Sequence, residues 1–148
     1  MFAEYNLLLI KKSKQMIKGF ENETHNLSDY ELKVVIPLLI KGFKTKIGKE
    51  NSITNVNICK LVNENSNLKI KLNEPRVRKC IAFLRYNNCV PRLVATSKGY
   101  WVASNKQELI DWEETLQSRI DAIIDIRDYA KNQIENWDNR YTQNKLNI

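Results

Sequence analysis

The chain has 148 residues, of which 43% are hydrophobic and 28% charged, and a net charge of +7. That is one domain's worth of sequence with room for an appendage. Its longest apolar blocks, Leu7 to Ile10 and Val34 to Ile40, are far too short to span a bilayer. The charge is uneven: residues 1–105 carry 18 Lys+Arg against 8 Asp+Glu, and residues 106–148 carry 6 against 9. A basic body suits a polyanion, and an acidic segment behind it suits a partner.

The N-terminal basic cluster (Lys11, Lys12, Lys14, Lys18) follows its apolar block instead of preceding it, unlike a signal peptide. A cytoplasmic protein without a membrane anchor is therefore expected. Cys59, Cys80 and Cys89 are odd in number and form no C-x-x-C pair, and His25 is the sole imidazole. Buried free thiols are expected, with no metal and no cofactor. Gly-rich phosphate loops, paired carboxylates at acid–base spacing and a nucleophile with a nearby histidine are all missing. The expectation is thus of no enzyme, no catalytic residue and no small-molecule ligand.

In chain order, residues 1–20 read as a helix with an imperfect apolar stripe (Phe2, Tyr5, Leu8, Leu9, Met16, Phe20), its lysines largely off that stripe. A polar linker follows to residue 26. Ser28 with Glu31 makes a capping box, and the helix after it should bury Leu32, Val35, Ile36, Leu39 and Phe43, bent by Pro37. Residues 51–53 look extended, and Thr54 caps a helix to about Glu64 that should bury Ile58, Leu61 and Val62. A polar loop to Leu72 carries Lys69 and Lys71.

Asn73 caps the next helix, with Glu74 and Pro75 suited to its first turn. On a helical wheel Val77, Ile81, Leu84 and, at the edge, Cys80 form an inner face. The outer face presents Arg76, Lys79, Ala82, Phe83 and Tyr86, flanked by Arg78 and Arg85. Cations, a small residue and aromatics are what a groove-reading helix needs. Val90–Ala95 and Tyr100–Ser104 are β-prone and joined by Thr96-Ser97-Lys98-Gly99, in which Gly99 supplies positive φ. From Asn105 one long helix is expected to about Tyr141. Its apolar positions Leu109, Trp112, Leu116, Ile120, Ile123, Ala130, Ile134, Trp137 and Tyr141 follow a coiled-coil seam with a stutter near Leu116 and Arg127 inside it.

Three stretches, IPLLIKGFKTKIGKENSITN, EPRVRKCIAFLR and LVATSKGYWVASN before a heptad-like helix, resemble a group of small phage- and prophage-encoded winged-helix proteins. The similarity spans about residues 36–105. It implies a three-helix winged fold with 74–87 as recognition helix and 93–103 as wing, and DNA binding in phage regulation or replication. Its recognition positions fall on Arg76, Arg78 and Lys79, and its wing turn on Ser97, Lys98 and Gly99.

The combined expectation is a mainly α protein with a small β-hairpin, a winged helix-turn-helix over 27–104 followed by a long C-terminal helix. It would bind double-stranded DNA as a homodimer joined through 106–141. Arg76 and Lys79 would reach base edges. Lys69, Lys71, Arg92 and Lys98 would grip phosphates, with Asn73, Arg78, Phe83 and Ser97 on the same surface. The competing expectation is a non-catalytic interaction or virion-associated protein, using the winged fold as a scaffold and Phe83, Tyr86 and Trp101 for protein contacts.

Overall fold

A computed structural model describes residues 26–65 and 70–139. The helix expected over 1–20, the linker histidine and Lys69 lie outside the described residues, as does Tyr141. The chain divides into two units, the first ending at Glu108 and the second beginning at Leu109.

The first unit opens with the capping box. Glu31 N–H donates to Ser28 Oγ (3.1 Å) while Ser28 N–H donates to Glu31 Oε1 (3.0 Å), satisfying two of the orphan donors of the helix start. The turn Glu31–Val35 is widened, with the Ile36 N–H reaching back five residues to the Glu31 carbonyl. Pro37 has no N–H for the Lys33 carbonyl and its ring crowds that turn, so the bend takes this form. Helix α1, Ile36–Phe43, continues from there. It buries Ile36, Leu39 and Phe43, with Val35 just before it, whereas Leu32 is only half-buried.

Thr54 Oγ1 accepts from Asn57 N–H (3.3 Å) at the start of α2, Asn55–Asn65. Ile58 is buried and Val62 half-buried, but Leu61 is 48% exposed and does not join the core as expected. An eleven-residue helix presents only a narrow strip to the core, and Leu61 falls beyond its edge. Asn63 then closes the loop that follows: its side-chain amide donates to the Leu72 carbonyl and accepts from the Leu72 N–H, both at 2.8 Å. Leu72, 6% exposed, is pinned beneath and sets where the next helix begins.

That helix, α3, spans Glu74–Tyr86. Val77, Cys80, Ile81 and Leu84 are all within 2% of full burial, as the wheel requires. Its end is a Schellman motif: Cys89 N–H bonds the Leu84 carbonyl (2.9 Å), Asn88 N–H bonds that of Arg85 (3.0 Å), and Asn88 takes φ 51°.

Strands β1, Leu93–Thr96, and β2, Gly99–Val102, pair antiparallel with Leu93 opposite Val102 and Thr96 opposite Gly99. β2 also has neighbours on its other edge. Ile53 exchanges two backbone bonds with Tyr100 (2.9 and 2.8 Å), while Val102 bonds the Lys46 carbonyl (2.7 Å) and accepts from Gly48 (2.8 Å). Residues 46–53 thus serve as a broken third edge, interrupted by a 3-10 turn at Lys49–Asn51 that takes Asn51 out of the extended piece expected over residues 51–53. The close approach explains Gly99. Its φ is +125°, and a Cβ there would lie 2.6 Å from the Ile53 carbonyl oxygen. Tyr100 and Trp101, on opposite faces of β2, are only 7% and 4% exposed. Among the described residues the fold is mainly α with one small hairpin, in the order helix–helix–helix–hairpin before a long C-terminal helix.

Helix α4, Lys106–Glu135, begins in the first unit and makes up most of the second. It ends six residues earlier than the seam pattern indicates and passes into a 3-10 turn, Trp137–Asn139. No residue of α4 is buried. Among the described residues no helix is long and apolar enough to cross a membrane.

Candidate nucleic-acid interface

Of the ten residues read from the sequence as one surface, the nine that the structure describes separate into several environments. Arg76 is the clearest correction. Its guanidinium holds Glu31 with two bonds, Nη2 to Oε1 at 2.6 Å and Nε to Oε2 at 2.9 Å, and Nη2 also donates to the Asn26 carbonyl. Both side chains are 11% exposed. Arg76 lies near the edge of the α3 wheel, and the helix leading into α1 brings a carboxylate to that edge. The bidentate pairing that would suit guanine is directed at Glu31 instead. Burial pushes the Glu31 carboxyl up, but the Arg76 hydrogen bonds, Ser28 and the Arg76 charge outweigh it and hold the group below the ordinary carboxylate range.

Asn73 is also structural: its Oδ1 caps α3 by accepting from Arg76 N–H (3.0 Å). Phe83, on the same flank as Arg76, is half-buried and packs on the core instead of facing outward. Lys71 is exposed, and its Nζ donates to the Asn63 carbonyl (3.2 Å) near the C-terminal end of α2.

What stays on the outward side of α3 is Arg78, exposed, Lys79 and Ala82, half-buried, and Tyr86, 84% exposed. Arg85, seven residues after Arg78, shares its flank. The flank turns toward β2 and the start of α2. Tyr100 donates its hydroxyl hydrogen to Asn55 Oδ1 (2.7 Å), and the charges of Arg78 and Arg85 reach its phenol. Burial raises the Tyr100 phenol overall, with that hydrogen bond and those two cations acting against it. The sequence pattern placed Arg85 at the flank but did not single it out; its spacing from Arg78 was the available signal.

At the hairpin tip Ser97 and Lys98 are exposed. Thr96 Oγ1 accepts from Lys98 N–H (3.1 Å) and holds the turn. Arg92 is exposed at the hairpin base in the left-handed region, φ 63°, where a side chain other than Gly, Asn or Asp is uncommon. Its carbonyl accepts from Ala103 N–H (2.9 Å), which ties the two ends of the hairpin together.

A second polar cluster joins the hairpin to the first turn of α4. Asn105 caps α4 by accepting from Glu108 N–H (3.1 Å). The Glu108 carboxylate accepts from Lys49 N–H (3.1 Å), Trp101 Nε1 (3.1 Å) and Ser104 N–H (3.0 Å). Desolvation pushes Glu108 up, and these donors together outweigh it and bring its carboxyl below the ordinary range.

Cys80 is fully buried in the core, where desolvation and the nearby Glu31 charge push its thiol up to about 12. Cys59 and Cys89 are half-buried free thiols raised by desolvation. High thiol pKa values suit packing, not nucleophilic work. Among the described residues no group of three or more His, Cys, Asp or Glu is arranged to hold a metal. Compared with known protein families, curated proteins and solved structures, the chain matches none.

Proposed function

We propose that this is a DNA-binding protein that lays α3 in the major groove, uses the β1–β2 hairpin as a wing, and works as a homodimer held through α4. The observation that carries the reading is the sorting of α3's polar face. Arg76 and Phe83 turn inward, and the outward side of α3 carries exposed Arg78 and Tyr86 beside half-buried Lys79, Ala82 and Arg85. A small residue between cations lets a helix approach base edges closely. Lys79 and Arg78 now stand where Arg76 stood as reader, while Arg92 and Lys98 are placed to meet phosphates. A role in phage regulation or replication, in the host cytoplasm, rests on the resemblance read from the sequence of residues 36–105 alone.

Self-association rests on α4, whose Ile120, Ile123 and Ile134 are 49%, 65% and 71% exposed along a 30-residue helix with nothing buried. Helices draw most of their stability from packing an apolar face. The competing interaction-protein reading needs Phe83, Tyr86 and Trp101 on the surface; of these only Tyr86 is exposed.

The test is a random-oligonucleotide binding selection followed by alanine variants. Lys79→Ala should cost about 1–3 kcal/mol on the selected site and relax its sequence preference, whereas Lys98→Ala should weaken all duplexes alike. Enrichment of no sequence, together with equal behaviour of the two variants, would defeat the assignment of α3 as reader.

A further inference from the structure

We propose that the α4 helices of two copies pair antiparallel, with the crossing point between Asp121 and Ala122. This deepens the self-association part of the functional reading and does not depend on DNA binding. The exposed apolar side chains Leu116, Ile120, Ile123, Ile124 and Ile134 share one side of the helix, and Arg127 sits within that stripe. Among the described residues Arg127 pairs with its neighbour Asp128, 3.3 Å away, with both side chains 58% exposed. Covering the stripe removes water from Arg127, so the occupant must bring a carboxylate to it.

A parallel, in-register copy places Arg127 against Arg127 and Lys131 against Lys131. The seam-edge acid Glu113 would then face its own equivalent, roughly 21 Å along the helix from Arg127 and about 27 Å from Lys131. An antiparallel copy answers the charges. Ile120 meets Ile123 of the second copy, Leu116 lies across from Arg127, and Glu113 falls across from Ala130, between Arg127 and Lys131 of the second copy. The same contact occurs twice by symmetry. The N-terminal segment is the poorer occupant, because residues 1–20 carry four lysines and only Glu4 as an acid.

The geometry is read with single spin labels introduced through a non-natural amino acid in the full chain, which leaves Cys59, Cys80 and Cys89 untouched. Pulsed dipolar spectroscopy without DNA should give roughly 46 Å between labels at Lys106, from the helix rise over the residues separating the two starts. Labels at Asp121, beside the crossing, should be within about 20 Å of each other. Short distances at both positions would overturn the antiparallel arrangement while leaving self-association standing. Absence of any intermolecular distance would overturn both. As an independent check, Glu113→Lys should weaken the dimer roughly tenfold, because the contact is lost twice. Combining it with Arg127→Glu should restore most of the affinity. Failure of the double variant to recover would also count against the pairing.

Discussion

Removing Arg76 should damage the fold and leave sequence reading intact. Arg76→Ala deletes both bonds to Glu31, together with the bond to the Asn26 carbonyl, and leaves a carboxylate in a site 8% exposed with only Ser28 as partner. Breaking a buried, hydrogen-bonded ion pair from one side costs about 3–5 kcal/mol, and the residual 11% exposure of both side chains lowers that to about 2–4. With a urea slope of about 1–2 kcal/mol/M for the folded unit, the unfolding midpoint should fall by roughly 1–3 M.

The pH dependence carries a second signature. Because Glu31 is held below its ordinary value, its contribution is complete above the ordinary carboxylate range and is lost as pH falls through the folded value. The wild-type chain should therefore lose stability on acidification below about pH 5. In Arg76→Ala the same acidification neutralises a stranded charge, so the gap between the two proteins should close. An unchanged midpoint with a parallel pH profile, joined to a loss of DNA sequence preference, would refute this account and return Arg76 to the reading face.

Gly99→Ala forces a side chain into a φ of +125° and against the Ile53 carbonyl. It should cost about 2 kcal/mol or more in thermal or urea unfolding, and retention of wild-type stability would show that β2 and residues 46–53 separate easily. Glu108→Ala leaves the Trp101 indole N–H and the N–H groups of Lys49 and Ser104 without their acceptor, a loss of about 1–3 kcal/mol. Its tryptophan fluorescence should shift to the red as Trp101 gains water. Arg92→Gly relieves a left-handed φ while removing a cation, so stability should hold or rise by up to about 1 kcal/mol as duplex affinity falls. A parallel fall in both would mean that Arg92 acts through the fold.

Local chemistry was legible in the sequence, and long-range pairing was not. Ser28 with Glu31, Thr54, Asn73 and Asn105 each announce a helix start, because a cap needs only its own next turn. The inner face of α3 followed from a 3.6-residue period that four apolar side chains obey without exception. Arg76 was misassigned because its partner lies 45 residues away, and a cation on a helix edge looks the same whether it faces solvent or a carboxylate. Residues 51–53 read as extended, but Ile47 and Ile53 each stand alone in polar sequence, so nothing local showed that both would pair with β2. Trp101 looked outward because hairpins often have a wet face. Here Trp101 is buried on one face and Tyr100 on the other. The end of α4 at Glu135 shows that a continuing apolar spacing does not by itself extend a helix.

If the α3 face with its hairpin binds duplex DNA, fluorescence anisotropy across a salt series will register it. The full chain should bind a mixed-sequence duplex at micromolar concentration or tighter in low salt. Its log affinity should fall linearly and steeply with log salt, and Lys98→Ala should reduce that slope by about one. No binding at micromolar protein in low salt, or binding indifferent to salt, would contradict the account.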